Sequence, residues 1–81
     1  MIKVFSKSQC PYCDRAKQLL ESKGVSYTEV NIENDPSARQ KLIEQGLRSV
    51  PQIFKDDELI PGGYNGLAKQ SDEFFEQVKG Q

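Results

Sequence analysis

The chain has 81 residues, enough for one small domain and too few for two. Its 11 basic and 12 acidic residues nearly cancel, so there is no basic stripe of the kind that tracks nucleic acid. Its apolar runs are only two or three residues long, too short for a membrane span, and the expected N-terminus, Met1-Ile2-Lys3-Val4-Phe5, opens no apolar segment long enough for a signal peptide.

Ile2 to Ser6 is short and largely alternates apolar with polar residues, which predicts a strand. Lys7, Ser8 and Gln9 form a turn. Pro11 suits the first position of a helix, where its missing N–H costs nothing. Ala16, Leu19 and Leu20 give that helix one apolar face, and Gly24 stops it. Val25 to Ile32 predicts a second strand. Asp35 as N-cap and Pro36 at the first position open a second helix, which runs to about Gln45 and ends at Gly46. Its thin apolar content (Ala38, Leu42, Ile43) marks a surface helix with a narrow buried stripe.

Val50 to Phe54 predicts a third strand, Asp56-Asp57 a hairpin turn and Glu58 to Ile60 a fourth strand. Pro61-Gly62-Gly63 breaks the chain. One last helix starts near Asn65 or Gly66 and uses Leu67, Phe74, Phe75 and Val78. The order is β-α-β-α-β-β-α. A βαβ opening requires a parallel strand pair, and the later hairpin adds antiparallel strands. The expected class is α/β: a four-stranded mixed sheet flanked by three helices, with helices on both faces, in a single domain over residues 1–81.

Both cysteines of the chain lie in Cys10-Pro11-Tyr12-Cys13, between the first strand and the first helix. Thiols at i and i+3 on a first helical turn meet the Cα separation of roughly 4.4–6.8 Å that a disulfide requires. A strand, C-x-x-C and a helix in this order read as a thioredoxin-like redox motif. A structural zinc site needs about four ligands, and the chain has two cysteines and no histidine. A scaffold disulfide would close a longer loop, since a bridge over two intervening residues removes little unfolded-state entropy. A buried structural pair, or a metal site shared between chains, stays open as the other reading of these residues. A reducing, cytoplasmic setting fits the redox one.

Lys7, Cys10-Pro11-Tyr12-Cys13, Ser49-Val50-Pro51 and Gly62-Gly63 occur in an order and at intervals that resemble a small dithiol glutaredoxin over nearly the whole chain. The resemblance implies a thioredoxin fold, glutathione as reducing co-substrate, no metal, and a monomer. It also implies partners that are disulfide-containing or glutathionylated proteins, ribonucleotide reductase among the candidates. Cys10 is then the nucleophile. At a helix N-cap its thiolate accepts N–H bonds from the first turn, and the helix dipole and Lys7 favour its charge. Cys13, one turn in, resolves the mixed disulfide and pairs with Cys10. Pro11 fixes the helix start, and Tyr12 offers an aromatic wall. Pro51, with a cis Val50-Pro51 bond, faces the sulfur and lets Val50 pair with a peptide-like substrate. Lys7 and Arg39 are implied contacts of the glycine end of glutathione. Tyr12, Ser49 and Val50 are further implied glutathione contacts, and Gly63, Tyr64 and Asn65 hold the γ-glutamyl end at a helix start.

Three departures from the family pattern stand out. Asn65 and Gly66 replace the one or two aspartates usual after Gly-Gly. Ser49 replaces a threonine, and Pro61 an apolar residue. These bear on glutathione affinity more than on thiol chemistry. Two other functions therefore compete. One is a glutaredoxin-like hydrogen donor for ribonucleotide reductase recharged by thioredoxin reductase, which the intact Lys7 and Gly-Gly elements oppose. The other is an iron–sulfur carrier sharing a cluster through Cys10 and glutathione, which Pro11 opposes, because such relatives carry a small residue there.

Overall fold

The computed structural model describes residues 1–79. Strand β1 (Ile2–Ser6) is central, and its period-two alternation decides what covers each face of the sheet. Ile2 and Val4 point to one side, where Ala16, Leu20, Val25, Ile53, Ile60, Leu67, Phe75 and Val78 complete a buried cluster. Phe5 points to the other side and packs with Ala38, Leu42 and Phe54. The Phe5 and Phe54 rings meet edge to face at 5.3 Å.

The elements in chain order are β1, α1 (Pro11–Ser22), β2 (Tyr27–Asn31), α2 (Pro36–Glu44), β3 (Gln52–Lys55), β4 (Glu58–Ile60), α3 (Gly63–Ala68) and α4 (Asp72–Lys79). The sheet runs β2-β1-β3-β4. β1 and β2 are parallel, and the β1–β3 and β3–β4 pairs are antiparallel. Helices α1, α3 and α4 cover the face of Ile2 and Val4, and α2 covers the face of Phe5. This is the expected four-stranded mixed sheet in a thioredoxin-like α/β fold.

The capping residues act as the sequence predicts. Asp35 accepts the Ala38 N–H at 3.1 Å, with Pro36 at the first helical position. Gly24 and Gly46, just past α1 and α2, take φ of +72° and +75°, where a side chain would be strained. Asp56 and Asp57 both hold positive φ, 49° and 75°, as a two-residue hairpin between β3 and β4 demands.

Two expectations need correction. The flanking helices number four, because the last one divides. The Lys69 and Gln70 N–H groups close α3 on Asn65 and Leu67. Ser71 then starts α4, its hydroxyl accepting the Phe74 N–H at 3.2 Å and its carbonyl the Phe75 N–H at 3.3 Å. The third strand begins at Gln52 and leaves out Val50 and Pro51, since proline has no N–H for the ladder.

Beneath the loop that follows β1, the buried Ser6 hydroxyl donates to Glu29 at 2.7 Å, and Lys17 of α1 reaches the same carboxylate at 2.9 Å. The Lys17 bond, and after it the Ser6 bond, hold the Glu29 carboxyl below the usual range. A lowered folded pKa adds stability above the ordinary glutamate value of about 4.3 and loses it as pH falls through the folded value. Glu29→Gln is therefore expected to lower the melting temperature near neutral pH. Its gap from the wild-type chain should narrow as pH falls below the ordinary glutamate value and through the lowered folded one, where protonation removes the charge. A gap of unchanged size in acid would show that packing, not charge, carries the effect.

Candidate active site

Cys10 is the N-cap of α1, with extended φ and ψ of −118° and 100°, and Pro11 takes the first helical position. The Cys10 sulfur accepts the Cys13 N–H at 3.2 Å, filling the role a serine or aspartate oxygen takes at other helix starts. The Asp14 N–H closes the first helical turn on the Cys10 carbonyl at 3.1 Å. Cys10 and Cys13 form a disulfide with a Cα separation of 5.2 Å, within the bonding window. Cys10 is 8% exposed and Cys13 1% exposed, so the outer sulfur is the one a reagent meets first.

Gln9, just before the pair, is left-handed at φ 55°, which brings the chain sharply from the turn into α1. On the far side of the sulfurs the Val50-Pro51 bond is cis, and the Val50 carbonyl lies 4.0 Å from the Cys10 sulfur. The buried Gln52 amide donates to the Ser49 carbonyl at 2.8 Å and so secures the loop that carries Val50. Gly63, at φ +58°, stands so close to this loop that a Cβ there would lie 2.9 Å from the Pro51 carbonyl.

These loops enclose a groove of about 550 Å³. It brings together Tyr12, Ser49, Val50, Pro51, Gly63, Tyr64 and Asn65 of the sequence-derived set. Gly62 of the Gly62-Gly63 motif also lines it, as do Leu47, Gln52, Leu59 and Pro61, which carry no sequence mark of a site. Tyr12 is half exposed; its ring is 6.0 Å from that of Tyr64, and the Arg15 guanidinium sits 5.0 Å over it. Flanked this way, Tyr12 forms a firm side wall.

Cys10, Pro11 and Cys13 do not line this groove, and of the residues assigned to glutathione neither do Lys7 and Arg39. Lys7 is exposed and lies by Glu33, whose carboxyl is held below its usual range by bonds from Ser8, with the Lys7 charge adding to the effect. Arg39 lines a second groove with Ile43, Leu47 and Arg48. No group of three or more histidine, cysteine, aspartate or glutamate side chains converges to hold a metal among the described residues. No helix among them is long and apolar enough to cross a membrane.

The family model described as glutaredoxin matches residues 2–60. Glutaredoxin 3 of Escherichia coli strain K12 is 45% identical over 62 residues, covering 75% of this chain and 75% of that protein. The glutaredoxin-like protein NrdH of Lactococcus lactis subsp. cremoris is 37% identical over 62 residues, covering 76% and 86% of the two chains. Among solved structures, a buckwheat glutaredoxin–glutathione complex superposes with a TM-score of 0.71 at 32% identity, over 96% of this chain and 70% of that one.

Proposed function

Since the chain belongs to the glutaredoxin family, and so to the thiol oxidoreductases, we propose that it is a dithiol, C-P-Y-C member that draws its electrons from glutathione. One observation carries this reading: the loop that puts the Val50 carbonyl 4.0 Å from the Cys10 sulfur also lines a single groove together with Tyr12, Gly63, Tyr64 and Asn65. The structure with its disulfide closed is then the oxidised form of the catalyst, within one domain over residues 1–81.

In the proposed cycle the Cys10 thiolate attacks the glutathione sulfur of a mixed disulfide. The substrate leaves as a thiolate, and Cys10 is bonded to glutathione. A second glutathione thiolate attacks that bond, freeing Cys10 and leaving as oxidised glutathione. With a protein disulfide, Cys10 forms a mixed disulfide with the substrate, and Cys13 displaces it, releasing the second substrate thiol. Two glutathione molecules then reopen the Cys10–Cys13 bond. Val50 would pair with the bound peptide backbone, Tyr12 would wall it, and Gly63, Tyr64 and Asn65 would receive the γ-glutamyl end. Lys7 supplies positive charge beside the dithiol loop.

The test is NADPH consumption in the presence of glutathione reductase, glutathione and a small glutathione-mixed disulfide. Acceleration by the protein is expected. No acceleration, with a Cys10–Cys13 bond that dithiothreitol still opens, would sink the glutathione reading. The similarity to the NrdH protein, together with Asn65 and Gly66 in place of aspartates, supports a second reading in which thioredoxin reductase recharges the pair. Replacing glutathione and its reductase by thioredoxin reductase in the same assay separates the two.

A further inference from the structure

Neither the groove of Val50 and Tyr64 nor the one it adjoins at Leu47 has an acidic side chain in its lining, in a chain with 12 acidic residues. The first groove is neutral. The second, of about 310 Å³, carries two arginines, Arg39 and Arg48, over an apolar floor of Ile43 and Leu47. Leu47 lines both, so the cationic groove continues the redox groove.

Among the described residues the ion pairs join Lys17 to Asp14 and Glu29, Lys23 to Asp72, Lys79 to Glu76, and the N-terminus to Asp56. The Arg39 and Arg48 side chains have no ion pair, hydrogen bond or ring contact among the described residues. Ile43 is 47% exposed, an apolar surface next to two uncommitted charges. Guanidinium forks suit carboxylates, and an apolar floor suits the side chain between them. A free small anion would need only the charges; two grooves sharing Leu47, with Ile43 and Leu47 as an apolar floor, suit a polypeptide.

We propose that this second groove docks an acidic stretch of polypeptide adjoining the disulfide of a protein substrate, while that disulfide lies in the first groove. The proposal rests on the redox reading above. It assigns Arg39 and Arg48 to choosing among protein substrates, with Ile43 and Leu47 receiving an apolar residue of the same stretch.

The test uses two disulfide-bonded peptides that differ only in whether glutamates or lysines flank their cysteines, and a small glutathione-mixed disulfide. The wild-type protein is expected to show a KM roughly tenfold lower for the glutamate peptide, a preference that fades as salt rises. Arg39→Glu and Arg48→Glu should each reverse the preference toward the lysine peptide. Arg48→Glu should leave the small mixed disulfide unaffected, which a folding defect would not. Equal KM for the two peptides in the wild-type protein, or equal losses on both peptides in the variants, would overturn the proposal. If the wild-type protein turned over none of the three, the glutathione-coupled reading would fail instead. Calorimetric binding of each peptide to the oxidised protein would then decide the docking separately, tighter binding of the glutamate peptide supporting it and equal binding refuting it.

Discussion

Cys10→Ser is expected to lower turnover of every disulfide substrate by at least about a thousandfold while leaving the fold standing. The reasoning starts at the helix cap. Serine is among the favoured N-cap residues, so its hydroxyl can take over the Cys13 N–H that the sulfur now accepts. What it cannot supply is a thiolate, the nucleophile of disulfide exchange. Cys13→Ser is expected to behave differently. It should keep reduction of glutathione-mixed disulfides, which needs Cys10 and a second glutathione, and lose direct reduction of protein disulfides, which needs an internal thiol to displace the substrate. Coupled NADPH assays with both substrate types read the two outcomes, and circular dichroism checks the fold. Turnover retained in Cys10→Ser would make Cys13 the nucleophile and reverse the assignment.

Gly66→Asp is expected to destabilise the protein by about 2–4 kcal/mol. It would place an aspartate where many glutaredoxins have one, yet here a Cβ at Gly66 would run into the Pro61 carbonyl. Backbone, not a movable side chain, blocks it, so α3 or the Pro61-Gly62 corner must shift. Urea unfolding should show the midpoint dropping. Asn65→Asp makes the contrast: Asn65 is exposed at the groove, so the new charge should cost little stability and should lower KM for a glutathione-mixed disulfide. An unchanged midpoint for Gly66→Asp would mean that the corner relaxes without cost and that Pro61 does not determine the residue at 66.

Much of this was legible because the signals are local. Pro11 and Pro36 at helix starts, Gly24 and Gly46 at helix ends, and Asp56-Asp57 in the hairpin each act within a few residues of themselves. The division of the last helix was also written locally, in Ser71-Asp72-Glu73. Leu67, Phe74, Phe75 and Val78 read as one helix because Leu67, Phe75 and Val78 do reach the same core. Gln52 carries no sequence mark of its role, because its burial and the bond from its amide to the Ser49 carbonyl arise only in the fold. Lys7 and Arg39 show the other limit. The resemblance assigns both to the glycine end of glutathione, but which neighbours each has is set by the tertiary fold: Glu33 lies by Lys7, and Arg39 lines a groove with Arg48.

The two outermost strands carry a consequence for behaviour at high concentration. An unpaired strand edge is a template on which another chain can add. Here β4 is three residues long and is led in by Asp56, Asp57 and Glu58, so a visiting strand finds little ladder and much negative charge. On the opposite edge, β2 is five residues long and bears the exposed Thr28 and Glu29 amid partly exposed neighbours. Neither rim is the long, flat, greasy border from which cross-strand stacking and fibrils grow, which suits a fold of this size to crowded solutions.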